Sequence, residues 1–80
     1  MKTAIELTQT ALRKVDAEGL GDRVAGLVLG EWAQTGDFVE LAGDGGVLVF
    51  IIHARRIRIE ADGRQTLVFK LDHPARPVTR

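Results

Sequence analysis

The alternation of apolar and polar residues divides the chain into a helical N-terminal part and a strand-rich remainder. Over residues 3–18, Thr3 and Glu6 fit a capping box, and Gly19 and Gly21 follow as a stop signal. The pattern therefore predicts an amphipathic helix over this stretch. Its apolar side chains recur at helical spacing on one half of the wheel: Ala4, Ile5, Leu7, Ala11, Leu12 and Val15.

Residues 22–35 do not follow one clear period. If they form a helix, it begins at Asp22 and presents one broad apolar face. If they form a strand, the same apolar residues alternate between its two faces. Gly26 and Gly30 weaken both structures, since an interior glycine costs a helix about 0.8–1 kcal/mol relative to alanine and also weakens a strand. A second helix is the favoured interpretation, and a strand is the alternative.

From Gly36 onward the period changes to two, which is typical of strands. Residues 37–42 predict a short strand, residues 43–46 a glycine-rich turn, and residues 47–52 a strand that is apolar on both faces. Helices can cover one face of such a strand. The other face needs a further layer, a strongly curled sheet or a second subunit.

A hairpin is predicted at residues 53–70, where two alternating apolar runs flank an Asp-Gly pair. A loop of odd length places the isoleucines of the first run and the leucine and phenylalanine of the second run on one buried face. We expect a three-residue loop at 62–64. This register pairs Ile59 with Leu67 and Ile57 with Phe69 on one face, and Arg56 with Lys70 and Arg58 with Val68 on the other.

Together these elements predict an α+β fold. One N-terminal amphipathic helix, or two helices, packs on an antiparallel meander of three or four strands. Residues 1–72 form the single domain, and residues 73–80, with two prolines and no periodicity, form a flexible tail. A chain of 80 residues without cysteine has a small core, which favours completion of that core by a second copy.

Composition narrows the classes of function. The formal net charge is zero, from eleven basic and eleven acidic residues, which argues against a surface built for nucleic acid or membrane. No apolar run approaches the roughly 18 residues that cross a bilayer, so we expect a cytoplasmic protein, and the arginine-rich composition favours a bacterial source. The sequence contains no Ser, Cys, Asn or Tyr. Serine and cysteine nucleophiles are therefore excluded, and we expect neither an enzyme nor a cofactor.

The basic residues of the predicted hairpin are the candidate partner-binding or anion-binding site, and the alternative is a solvated face in which Glu60 partly balances their charge. These basic residues are Arg55, Arg56, Arg58, Arg64 and Lys70. Residues 31–46, by contrast, contain four acidic residues and no basic one, which would allow the acidic strand of one copy to meet the basic hairpin of another. Trp32, Val49 and Ile51 are the candidate interface residues, because tryptophan is a common interface anchor and the two aliphatic residues lie on the strand that needs a second cover.

The leading interpretation is a small non-catalytic interaction or regulatory protein. It acts as a homodimer and binds an acidic protein partner through the basic hairpin face. The alternative is a nucleic-acid-associated protein in which Arg56, Arg58 and Lys70 contact phosphates. Aromatic residues for base stacking are almost absent from the hairpin, which favours the protein partner. His53 and His73 lack the spacing of metal ligands, so no metal site is predicted.

Overall fold

The computed structural model describes residues 2–43 and 45–75, which form two helices and one four-stranded sheet. In the sheet the order is β1-β4-β3-β2, and all neighbours are antiparallel except β1, which lies parallel to β4. The predicted α+β class is confirmed. The strands are β1 (Lys2–Leu7), β2 (Phe38–Gly43), β3 (Gly46–Ile59) and β4 (Gln65–Asp72), and the helices are α1 (Gln9–Glu18) and α2 (Gly21–Ala25).

The N-terminal part of the predicted helix over residues 3–18 is wrong, because it forms strand β1. Its residues alternate with a period of two as well: Ile5 and Leu7 pack against the core, and Glu6 points to the opposite face. Pairing with β4 along six residues gives the backbone partners that an extended strand needs. It also sets the two apolar side chains beside a phenylalanine and a leucine of β4.

Thr8 rather than Thr3 caps helix α1, so the predicted capping box is also wrong. The hydroxyl of Thr8 accepts a hydrogen bond from the backbone N–H of Ala11 at 3.2 Å. At the other end, Gly19 adopts a left-handed conformation with φ of 68°, and its N–H donates back to the last turn. Glycine tolerates this conformation without strain, so the helix ends there as predicted.

Residues 22–35 are neither one helix nor one strand. Helix α2 covers only Gly21–Ala25, and an irregular segment follows over residues 26–37. Gly30 in this segment lies directly beneath the indole ring of Trp32, where a Cβ atom would overlap the ring. The favoured prediction of a second helix is therefore correct for its first turn and wrong for the remainder.

The loop between β3 and β4 has an odd length, as predicted, but it begins one residue earlier than predicted. The N–H of Gly63 donates to the carbonyl of Glu60 at 2.9 Å, and the N–H of Glu60 donates to the carbonyl of Arg64 at 2.8 Å. The loop is therefore 61–63. Gly63 takes φ of 89°, the left-handed position that closes a three-residue loop, and a loop at 62–64 would give that position to Arg64.

The earlier loop shifts every predicted pair of the hairpin and leaves every residue on its predicted face. Ile57 lies opposite Leu67 instead of Phe69, and Arg56 lies opposite Val68 instead of Lys70. The predicted opposition of two like charges is thus wrong. Alternation depends only on odd or even spacing, so Ile57 and Ile59 still share a face with the leucine and phenylalanine of β4. The two isoleucines are 55% and 67% exposed, however, so the prediction that they are buried is wrong.

Strand β3 is one continuous strand of 14 residues with a bulge at His53. The register with β4 shifts around this exposed residue, so the side chains after it change face relative to simple alternation. As a result Arg56 lies on the same face as Val49 and Ile51.

Both helices pack on one face of the sheet. The opposite face, called the helix-free face below, carries no helix among residues 2–43 and 45–75. One side of the sheet therefore has no layer of its own among these residues. The buried core on the helix side consists of Ala11, Val15 and Val24 from the helices, Ala33 from the irregular segment, and Leu41, Phe50, Ile52, Leu67, Phe69 and Leu71 from the strands.

After β4, the imidazole of His73 meets the ring of Phe50 edge-on, with the ring centroids 5.9 Å apart. Asp44, in the predicted turn between β2 and β3, and residues 76–80 of the predicted tail lie outside the described residues.

Candidate functional site

The candidate site is the helix-free face, which divides into a charged half and an apolar half. Alternation along the paired strands places their side chains on this one face. The charged half comprises Glu6 on β1, Val68 and Lys70 on β4, and Arg56 and Arg58 on β3. The apolar half comprises Phe38 and Glu40 on β2, and Val47, Val49 and Ile51 on β3.

Arg56 and Glu6 form a two-bond ion pair in the charged half. Nη1 of Arg56 donates to Oε1 of Glu6 at 2.8 Å, and Nη2 donates to Oε2. Strand β4 lies between β1, which carries Glu6, and β3, which carries Arg56, so the ion pair crosses β4 at Val68. Val68 is only 3% exposed although no helix covers it. The hydrogen bonds from Arg56 lower the pKa of Glu6, and the Glu6 carboxylate raises the pKa of Arg56.

The other basic residues of the hairpin are mostly paired. Nε of Arg58 lies 3.0 Å from the carboxylate of Glu60, and at the hairpin tip Nε of Arg64 lies 2.6 Å from the carboxylate of Asp62. Lys70 has no carboxylate within ion-pair distance among the described residues. The structure thus brings three of the predicted anion-binding residues to one face and balances most of their charge there.

Arg55, which was predicted to lie near the others, is on the helix side of β3. Its Nε donates to the backbone carbonyl of Ala33 at 3.1 Å, and its Nη2 donates to the carbonyl of Glu31 at 2.9 Å. These two carbonyls flank Trp32. Arg55 therefore holds the irregular segment and is not part of the charged half.

The apolar half leaves large side chains exposed. Val47 is 56% exposed and Phe38 is 54% exposed, while Val49 is half-buried and Ile51 is buried. The first three border a shallow depression of about 570 Å³. Of the predicted interface residues, the two aliphatic ones lie in this half. Trp32 lies around the edge of the sheet, near the start of β2.

Sequence reasoning misses three residues of this face. Glu6 is missed because residues 3–18 are predicted to form a helix, which does not place Glu6 on the sheet. The alternation of apolar and polar residues within β1 is the signal that could have identified it. Phe38 and Val47 lie in strands that were predicted, but alternation alone does not say which face the helices leave uncovered.

A second polar cluster joins the end of β4 to the start of α1. The carboxylate of Asp72 accepts hydrogen bonds from the hydroxyl of Thr8 at 2.6 Å, the hydroxyl of Thr10 at 3.1 Å and the backbone N–H of His73 at 2.9 Å. The Thr8 hydroxyl contributes most to lowering the pKa of Asp72, against the opposing effect of partial burial. All these bonds lie within the chain, so the cluster has a structural role.

Residues 2–43 and 45–75 contain no group of three or more His, Asp or Glu side chains placed to hold a metal ion. Within the same residues, both helices are too short to cross a membrane. Comparisons of the chain with protein-family models, curated proteins and solved structures gave no match. A proposal for function therefore depends on the fold and on the helix-free face.

Proposed function

We propose that this chain is a small non-catalytic interaction protein that acts as a homodimer, joined through the apolar half of the helix-free face. The exposure of Phe38 and Val47, on a sheet with helices on one side, is the observation that carries the proposal. An apolar centre bordered by charged groups is the usual arrangement of a protein interface. The net charge of zero leaves no overall repulsion between two copies.

The size of the face sets the expected strength of the dimer. Four strands about 4.8 Å apart, with about six paired residues of about 3.3 Å each, form a face of roughly 19 by 20 Å. Only about half of this area is apolar, so its burial is well below the roughly 800 Å² that each partner buries in a standard stable complex. We therefore expect a weak dimer that forms reversibly and only at high protein concentration.

The charged half stays at the rim of this dimer, open to an acidic protein partner. Because Arg56 and Arg58 already have carboxylate partners within the chain, such a contact would be weak and would depend on Lys70. The same pairing disfavours the alternative function, phosphate contacts to nucleic acid. A phosphate would have to displace two carboxylates before it could bind the arginines.

Sedimentation velocity over a range of protein concentrations tests the dimer, with Val47→Lys as the perturbation and Ile59→Lys as the matched control. Both residues lie on β3 with similar exposure, 56% and 67%, but Ile59 is on the helix side of the sheet. We expect Val47→Lys to sediment as a monomer and Ile59→Lys to dimerise like the unmodified protein. The proposal would be contradicted if the two substitutions changed dimerisation equally, or if the unmodified protein were a monomer at all concentrations.

The nucleic-acid alternative is tested with a labelled oligonucleotide, in single-stranded and duplex form, at low salt. We expect no binding. Salt-dependent binding that is lost in Arg58→Ala and Lys70→Ala would replace the dimer proposal with this alternative, because each lost phosphate contact weakens binding and its salt dependence.

A further inference from the structure

We infer that the outer edge of β2, together with a groove beside Trp32, binds an extended basic segment of another protein. The groove has a volume of about 480 Å³ and shares only Phe38 with the depression of the apolar half. It is thus a second site, which borders the proposed dimer interface at Phe38. Leu29, Trp32, Phe38, Val39 and Ile52 line it, with Asp37 at its border.

Trp32 is 76% exposed and is nevertheless held in place. Arg55 binds the carbonyls on both sides of it, and the indole rests against Gly30, where a Cβ atom would overlap the ring. The side-chain amide of Gln34 also donates to the carbonyl of Trp32 at 3.4 Å. A large, fixed and exposed aromatic side chain loses little conformational freedom on binding, which is characteristic of interface hot spots.

Strand β2 is an edge strand whose backbone is available beside this groove. Among the described strands only β3 pairs with it. The N–H of Ile52 donates to the carbonyl of Asp37 at 2.9 Å, so every second residue from Phe38 onward directs its N–H and C=O outward. Nη1 of Arg23 donates to the outward carbonyl of Ala42 at 2.6 Å, which closes the far end of the edge. The near end, next to Trp32, remains open for an added strand.

The surrounding charge selects a basic segment. The side chains of Glu31, Asp37 and Glu40 are exposed along the groove and the edge. The two nearby guanidinium groups, of Arg55 and Arg23, are engaged by backbone carbonyls. A Lys or Arg placed over Trp32 would gain both a cation–π contact and a charge-assisted hydrogen bond. Alternate side chains of an added strand point to the same side, so the fitting segment alternates basic and apolar residues.

The fluorescence of Trp32 reports binding directly, because it is the single tryptophan in the chain. The probe is a short peptide that alternates lysine and valine. One control peptide alternates glutamate and valine, and a second is the lysine peptide with alternate backbone amides methylated. We expect the lysine peptide to shift the emission to shorter wavelength and to bind about tenfold more tightly than either control. Equal binding of the glutamate peptide would overturn the charge argument, and equal binding of the methylated peptide would overturn strand pairing.

A matched pair of variants tests the role of the held indole. Gly30→Ala displaces the ring, whereas Gly45→Ala adds the same methyl group in open space without a positive φ. We expect Gly30→Ala to weaken binding of the lysine peptide about tenfold and Gly45→Ala to bind it normally. Trp32→Ala, followed by calorimetry, should show the same loss as Gly30→Ala, and the side chain that it removes is 76% exposed. Normal binding by Gly30→Ala or by Trp32→Ala would overturn the proposal.

The same titration in Val47→Lys separates this site from the proposed dimer. We expect the lysine peptide to bind this variant as it binds the unmodified protein, because Val47 does not line the groove. Loss of binding there would place the peptide in the apolar half and overturn the assignment to the Trp32 groove.

Discussion

The hydrogen bonds of Asp72 predict a pH-dependent contribution to stability at the junction of β4 and α1. Asp72→Asn removes the charge and one acceptor oxygen from a carboxylate that the hydroxyls of Thr8 and Thr10 approach at 2.6 and 3.1 Å. A hydrogen bond to a charged group contributes about 1.5–3 kcal/mol. Because Asp72 is partly exposed and asparagine retains one acceptor, we expect the free energy of unfolding to fall by about 1–2 kcal/mol near neutral pH.

The sign of the pH dependence follows from the lowered pKa of Asp72. The hydroxyl of Thr8 is the largest cause of this shift, and it stabilises the charged carboxylate only in the folded state. The stabilisation is therefore complete above the unfolded-state pKa of about 3.9 and is lost as the pH falls through the folded-state pKa. The difference between the unmodified protein and Asp72→Asn should be largest near neutral pH and should shrink in acid.

Urea unfolding, followed by circular dichroism between neutral pH and about pH 3, measures this difference. Asp16→Asn is the control, because Asp16 is an exposed carboxylate on α1. Thr8→Ala is combined with Asp72→Asn in a double-mutant cycle, where we expect the double variant to lose less than the sum of the single losses, since both remove the same bond. A penalty for Asp72→Asn that is independent of pH, or that adds fully to that of Thr8→Ala, would contradict a stabilising hydrogen bond from Thr8 to the charged carboxylate.

Two further predictions concern the hairpin and the charged half. Gly63→Ala should lower the free energy of unfolding by about 1–2 kcal/mol, because φ of 89° is unfavourable for any residue with a Cβ, while Gly45→Ala should be close to neutral. Urea midpoints compare the two, and equal midpoints would contradict the three-residue loop. Arg56→Gln should raise the pKa of Glu6, because it removes the hydrogen bonds that lower it. An NMR titration of the side-chain carboxyl carbons measures this pKa, and an unchanged value would contradict the ion pair.

The face of each hairpin residue could be predicted from the sequence, but its partner could not. Leu67 and Phe69 share the helix side of the sheet with Ile57 and Ile59, and this sharing admits every loop of odd length. The choice among odd loops depends on which residue takes the left-handed position. Gly63 takes it as the third loop residue, whereas the predicted loop had placed this glycine in the middle.

The N-terminal strand could not be separated from a helix by its own pattern. Ile5 and Leu7 satisfy the strand period, and together with the apolar residues of α1 they also satisfy the helical period. Pairing with β4, at the other end of the chain, decides between the two. The ion pair between Glu6 and Arg56 follows only from this long-range pairing. For that reason the sequence indicated a basic stripe where the structure has a largely balanced surface.

A one-residue bulge determines which side chains share the candidate surfaces. Strict alternation along β3 would place Arg55 on the same face as Ile51, and Arg56 on the helix side. The extra residue at His53 reverses this order. Arg56 therefore joins Ile51 on the helix-free face, and Arg55 reaches the carbonyls that flank Trp32. Both proposed sites depend on this irregularity, because it supplies the charged rim of the first and the clamp on the indole of the second.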